Sequence, residues 1–376
     1  MLNDDIKGMR LLIINFEMDE NSGVRAWQAR VARELAGACE YVLVLTSQVG
    51  RFVQPENMHI EVIPRRPLGV PGRLGGKWMV NLRLFRLCRQ YRIDACFVHM
   101  ASEWTYILFP TLRLLGIPVL MWYAHGTVTV KLRLAHRCAT RVVTSTPEGF
   151  RIPSSKVRVI GQGIDTEVFR PQPVTGPRRD LVTISRVSRR KRLELLLSVM
   201  TRLQKDPEGA QMRLRIVGPA LNHDDLAYDR ELRTRVWDES LQNSVEFVGF
   251  VPQERTPNFY GSAFLHINVS ETGSMDKTVL EALSCGCPVL TSNPAFRQLL
   301  QGFPNFMIGN ESPEAIARQV LDLYHHSDEY PAASLRDLVA GNHDVYSYVR
   351  QVTEQLMEMV SPKPGGDSAA RGCLGS

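Results

Sequence analysis

The sequence predicts an α/β protein made of two doubly wound domains in tandem. Three observations carry that prediction. Apolar runs alternate with helical patterns from one end to the other, the runs are apolar at consecutive positions, and one proline-rich break divides the series. Strands apolar on both faces belong to parallel sheets covered by helices on each side. A chain of 376 residues is long for one core and suits two.

The first series runs over residues 1–170. RLLIINF (10–16) reads as a buried strand, and the next segment sets Val24, Trp27, Val31 and Leu35 on one helical face. YVLVL (41–45), HIEVI (59–63), a helix from about Trp78 and the strand ACFVH (95–99) follow. A further helix leads to PVLMWYA (118–124), and a short one to RVVTS (141–145). Phe169–Asp180, with three prolines, a glycine and several charges, is the expected linker.

The second series, 171–345, restarts the rhythm. It reads LVTIS (181–185), a helix from Arg192, LRIVG (214–218), a helix to about Leu241, VEFVGF (245–250) and AFLHINVS (263–270). A helix holding Thr278–Ser284, the strand PVLTS (288–292) and a helix from Pro313 complete it. A last helix over 346–360 precedes a polar tail, 361–376, whose composition predicts disorder.

Composition narrows the class. With 44% hydrophobic and 22% charged residues the chain reads as soluble and globular. Its seven cysteines lack any C-x-x-C pattern, which fits a reducing compartment, and Cys285 and Cys287 read as small core residues. The start is acidic and its apolar run short, unlike a signal peptide. The most apolar stretch, Tyr106–Tyr123, is broken by Pro110, Arg113 and Pro118 and fits a helix–turn–strand pair better than a membrane span. The expected location is therefore cytoplasmic, with a membrane-surface contact left open. Net charge is +6, but no acidic residue interrupts the run Arg65–Arg92, which carries Arg65, Arg66, Arg73, Lys77, Arg83, Arg86, Arg89 and Arg92. With Trp78, Met79, Leu82 and Phe85 among them, this is either a face for anionic lipid or a helix packed on its own sheet with a solvated basic side. No nucleic-acid motif accompanies it. GVPGRLGG (69–76) fails the spacing of a dinucleotide fingerprint.

Ligands of open parallel sheets sit beyond the carboxyl ends of the strands. Gly23, His125, Arg186 and TGSMDK (272–277) all fall at such ends. SETGSMDKTVLEALSCGCPVLTS (270–292) is the richest: a small, polar loop enters a helix whose free N–H groups favour an anion. Glu281 stands one turn inside it, within reach of hydroxyls; as an isolated helix residue it reads as solvated.

LEALSCGCPVLTS (280–292) resembles the E-x7-E region of the retaining glycosyltransferases of family 4, which have the GT-B fold of two Rossmann-like domains facing across a cleft. The resemblance implies that the first domain binds the acceptor and the second a nucleotide-sugar donor. It gives Glu281 the ribose hydroxyls and the N–H groups of Val279 and Leu280 the phosphates. Gly273 stands where the family carries its first Glu, the ligand of the donor sugar. Glu271 or Asp276 could replace that carboxylate, or backbone N–H groups of Ser274, Met275 and Asp276 could hold the sugar, with Lys277 adding charge and Thr278 opening the helix. ISRVSRRKR (184–192) resembles the G-R-L-x-x-x-K-G segment, placing Arg186 and Lys191 as cations on the leaving diphosphate; as a bare charge run it reads as a solvated turn. VRVIGQGIDTEVFRP (157–171) is similar to the segment ending the first domain. Val251, in VEFVGFVP, falls where the nucleobase edge is read, Gly23 in a shortened first glycine loop, and His125 at a cleft histidine beside the sugar.

The implied activity is retaining transfer from a UDP- or GDP-linked sugar to a glycan or lipid-linked acceptor of cell-surface polysaccharide synthesis. No metal ligand and no cofactor beyond the donor are expected, since no D-x-D pair occurs. A nucleotide-sugar epimerase and a catalytically idle GT-B subunit are the competing readings.

Overall fold

A computed structural model describes residues 7–22, 25–63, 75–173, 178–270 and 273–360, with the backbone alone at 75–77. Two parallel sheets carry the chain. The first has seven strands: β1 (Arg10–Ile14), β2 (Tyr41–Thr46), β3 (Met58–Val62), β4 (Ala95–His99), β5 (Val119–Trp122), β6 (Arg141–Thr144) and β7 (Val157–Val159). Their order is β3-β2-β1-β4-β5-β6-β7. The second has five: β8 (Asp180–Ile184), β9 (Arg213–Val217), β10 (Val245–Gly249), β11 (Ala263–Asn268) and β12 (Val289–Thr291), in the order β10-β9-β8-β11-β12. This is the expected GT-B architecture.

The consecutive apolar residues of β1 explain the layering. Leu11 and Ile13 point into one core and Leu12 and Ile14 into another, on opposite faces of the first sheet. The second sheet is enclosed by a single continuous core. The expected face Trp27, Val31 and Leu35 is buried along the helix Ala26–Ala38; Val24 lies outside the described residues. The expected helix before β5 is two short ones, Glu103–Ile107 and Phe109–Leu114, because Pro110 starts a new first turn. Strand β7 and the helices Thr256–Ser262 and Ala332–Ala340 went unread in the sequence.

The final helix, Val345–Val360, returns to the first sheet. Val345, Tyr348, Val349, Val352 and Leu356 belong to the core of that sheet, and Arg141 Nη1 donates to Gln355 Oε1 at 2.7 Å and pairs with Glu358 at 2.6 Å. Tyr348 meets Trp27 and Trp122 edge to face, at 5.6 and 5.2 Å between ring centroids. Gly163 makes this docking possible, since a Cβ there would stand 2.7 Å from Tyr348 Cβ and 3.0 Å from the Trp27 ring.

Of the basic run, Arg65, Arg66, Arg73 and the Lys77 side chain lie outside the described residues. The helix Gly75–Gln90 buries Leu84 and Cys88 against its own sheet and pairs Arg83 with Glu61, leaving Trp78 and Met79 exposed. Among the described residues no helix is long and apolar enough to cross a membrane. Cys285 and Cys287 are buried, and burial pushes the Cys287 thiol up to about 12.

Gly163→Ala should destabilise the fold by about 1–3 kcal/mol, the usual cost of overpacking, seen as a lower urea midpoint by tryptophan fluorescence; an unchanged midpoint would show that the helix Val345–Val360 is not held against Trp27.

Candidate active site

In the second sheet the strand order reverses between β8 and β11, so their carboxyl ends open a crevice. Strand β8 delivers Ser185 and Arg186 to one side. Strand β11 delivers Asn268, Ser270 and the turn that begins at Gly273 to the other. The two motif blocks, far apart in sequence, meet there through an ion pair: Lys191 Nζ lies 2.9 Å from Asp276 Oδ1, with both side chains largely buried. Asp276 Oδ2 also accepts from Asn268 Nδ2 at 3.2 Å and from Ser270 Oγ. Burial alone would raise the Asp276 carboxyl. Lys191 and the hydrogen bonds from Ser270, Lys191 and Asn268 outweigh it and hold the carboxyl below its usual range. Asp276 is thus tied to Lys191, Asn268 and Ser270. Lys191 is correspondingly half-neutralised, while Arg186 stays exposed, 4.0 Å from Asp225.

Asp276 is also the N-cap of the helix Lys277–Ser284, yet its side chain caps nothing. The Val279 N–H turns back to the Asp276 carbonyl at 3.2 Å, and Leu280 is buried in the core. The open end of the helix is Lys277 and Thr278, and the Thr278 hydroxyl is buried without a hydrogen-bond partner among the described residues. Met275 is buried beneath the turn, and the Ser274 carbonyl accepts from Asn293 Nδ2 at 2.8 Å.

Glu281 is 7% exposed, not the solvated helix residue its composition suggests, and it accepts from Tyr260 Oη at 3.3 Å. Burial raises its carboxyl to about 7 against the opposing pull of Lys277 and Tyr260. Burial likewise pushes the Lys277 ammonium well below its usual range, with Glu281 one turn on opposing the shift. Lys277 Nζ sits 3.5 Å from the centroid of the Trp27 ring, tying this helix to the first sheet by a cation–π contact.

Beyond Trp27 lies a cluster that sequence reading missed. His99, at the carboxyl end of β4, stacks on Phe97 and meets Trp122 and Tyr348. Both its ring nitrogens, Trp27 Nε1 and Tyr348 Oη are buried without partners among the described residues. Burial, and next Lys277, push the His99 imidazole down to about 3, so it is neutral.

His125 follows β5 and stands exposed at the crevice rim with Tyr123 edge-on at 5.6 Å. Protein packed behind the ring desolvates it, and Arg190 and Arg186 add repulsion, so its pKa lies below 6.5 and the ring is neutral at pH 7. The first sheet also reaches the Gly273 turn directly. Thr146 Oγ1 donates to the Gly273 carbonyl at 3.1 Å, and a Cβ at 273 would stand 3.4 Å from Arg151 Nη2 and 3.7 Å from Glu148 Cβ. Gly273 has φ +66°, a left-handed conformation suited to glycine. Val251 packs half-buried against the second core. Gly23 and Glu271 lie outside the described residues.

The profile described as Glycosyltransferase Family 4 matches residues 22–168, and that described as Glycosyl transferases group 1 matches residues 178–326. The chain belongs to this group 1, or family 4, class of glycosyltransferases. Among curated relatives, a putative colanic acid biosynthesis glycosyltransferase, WcaL, of Escherichia coli K12 is 26% identical over 178 residues, 44% of this chain and 40% of that protein. A GDP-mannose:cellobiosyl-diphosphopolyprenol alpha-mannosyltransferase of Xanthomonas oryzae is 29% identical over 182 residues, 47% of this chain and 46% of its own length. The match thus spans less than half of each relative. Among solved structures, Anabaena HepE in complex with UDP and glucose aligns with TM-score 0.74 at 17% identity, over 93% of this chain and 99% of that one. The apo structure of OtsA aligns with TM-score 0.72 at 11% identity, over 94% and 100%.

The Glu281 carboxyl is raised from 4.5 to about 7 on folding, so the folded chain holds that proton more tightly than the unfolded chain. The resulting stabilisation is complete below pH 4.5 and is lost as pH rises through 7. In Glu281→Gln that part of the profile should vanish, so urea midpoints of the two proteins should diverge between about pH 5 and 8, with the unsubstituted protein falling; parallel profiles would refute a buried, protonated Glu281.

Proposed function

We propose that the chain moves a sugar, with retention of its anomeric configuration and without a metal ion, from a UDP- or GDP-linked donor to a glycan or lipid-linked acceptor in cell-surface polysaccharide or glycolipid synthesis. The observation that carries this reading is the crevice between β8 and β11. There an open helix end, the exposed Arg186 and a buried Glu281 one turn deeper offer an anion site and a hydroxyl acceptor side by side. A nucleoside diphosphate fits that pair: phosphates at Lys277 and Thr278, ribose hydroxyls at Glu281. HepE has been solved in complex with UDP and with UDP-glucose, and the names of the bacterial relatives point to polysaccharide and lipid-linked acceptors.

As the bond from the sugar to the diphosphate breaks, Arg186, Arg190 and the helix dipole stabilise the charge left on the phosphate. Lys191 acts through Asp276, fixing the helix end in place. The neutral His125 can donate to a sugar hydroxyl at the rim. The acceptor hydroxyl arrives from the first sheet, on the face the diphosphate leaves, and its proton passes to the departing phosphate oxygen.

Calorimetric titration with UDP and GDP should find one of them bound, with at least about tenfold weaker binding in Arg186→Ala, the loss expected of one charge-assisted contact. The proton that Glu281 holds up to about pH 7 competes with its accepting from the ribose. Nucleotide affinity should therefore rise as pH passes 7, and Glu281→Gln should abolish the rise. Binding without turnover of any sugar donor would favour an idle subunit, and an inverted product anomer would overturn retention. Trp78, Met79, Arg86 and Arg89, all exposed on one helix, favour a contact with anionic lipid. The protein should co-sediment with phosphatidylglycerol vesicles at low salt, and Trp78→Ser should weaken that; no sedimentation at low salt would refute it.

A further inference from the structure

Resting on the nucleotide-sugar reading above, we infer that the transferred sugar is acidic, a hexuronic acid whose carboxylate is held by Arg151. The argument begins with two glycines on opposite sheets. A Cβ at Gly126 would stand 3.2 Å from each of Cζ, Nε and Nη2 of Arg151, so the guanidinium lies against the bare backbone next to His125. A Cβ at Gly273 would meet the same guanidinium, at Nη2, from the second sheet. Arg151 therefore bridges the loop after β5 and the turn after β11, at the place where the two sheets face each other. A side chain at 126 would press on it, and one at 273 would touch it.

The direction of the donor follows from its chemistry. A nucleotide sugar is a linear chain of ribose, diphosphate and sugar. Glu281 lies one turn inside the helix Lys277–Ser284 and takes the ribose end; the helix opening takes the diphosphate. The sugar then extends away from Glu281, out past the helix opening toward the Gly273 turn, where Arg151 waits.

Charge decides what kind of sugar. Lys191 pairs with Asp276, and Arg189 and Arg192 pair with Glu231 and Glu311. Arg186, with only a long 4.0 Å contact to Asp225, and Arg190, both acting on His125, remain for the doubly charged diphosphate. Arg151 has no ion-pair partner among the described residues, and Glu148, whose Cβ also approaches Gly273, is not paired with it. A planar, exposed guanidinium beside the sugar is a bidentate partner for a carboxylate, a pairing that a neutral hexose cannot offer.

The test is competitive calorimetry of the full chain with UDP, UDP-glucose and UDP-glucuronic acid, and with GDP, GDP-mannose and GDP-mannuronic acid. The uronate donor should bind at least about tenfold tighter than its neutral counterpart, as expected for a charge-assisted pair. Arg151→Gln should erase that preference while leaving UDP or GDP affinity unchanged, which also reports an intact fold; Arg151→Lys should keep part of it. Equal binding of acid and neutral donors, or an Arg151→Gln loss shared by the bare nucleotide, would overturn the inference and leave the nucleotide-sugar reading standing. Absence of binding by every nucleoside diphosphate would overturn both.

Discussion

Everything at the crevice is referred to one buried ion pair. Lys191 arrives from the turn after β8 and Asp276 from the turn after β11, 85 positions later. Two charges withdrawn from water are stabilising only if their remaining hydrogen-bonding capacity is met. Ser270 and Asn268 meet it on the carboxylate side. The pair fixes where the helix Lys277–Ser284 begins, and with it the open N–H groups, the depth of Glu281 and the reach of Lys277 to Trp27. A cation expected to face a ligand instead holds the scaffold that faces it, and Arg186 is left with the ligand.

Much of the fold was legible in the sequence because buried parallel strands carry apolar residues at consecutive positions. ACFVH, RVVTS and AFLHINVS needed no partner to be read as strands, and β4, β6 and β11 lie within them. What was missed had little apolar signal. Strand β7 is three residues long with Arg158 at its centre and largely exposed, so pairing with β6 defines it. The helix Thr256–Ser262 contains proline and glycine, and only its place against β11 declares it.

The site was legible by block and less so by atom. The two motif blocks meet through Lys191 and Asp276. The sequence could not assign Asp276 to Lys191, because a carboxylate beside a missing ligand looks the same whether it is free or paired. It also treated Glu281 as solvated on composition, whereas Tyr260 and the core enclose it. Arg151 and the Trp27–His99–Trp122–Tyr348 cluster gave no sequence signal, since each is assembled across elements. The glycines at 126 and 273 were the available clue: each is an absence of side chain beside the same guanidinium.

The return of the helix Val345–Val360 to the first sheet makes the amino-terminal folding unit discontinuous in the chain. Val349, Val352 and Leu356 cover apolar surface that the preceding residues cannot cover alone. During synthesis, then, the half made first is finished last. Its sheet can form early, but part of one face stays bare until the whole second unit has been made and the last helix swings back. That arrangement couples the two halves kinetically as well as mechanically. It also means that a fragment cut at the apparent boundary between the sheets would carry an open hydrophobic face, prone to association.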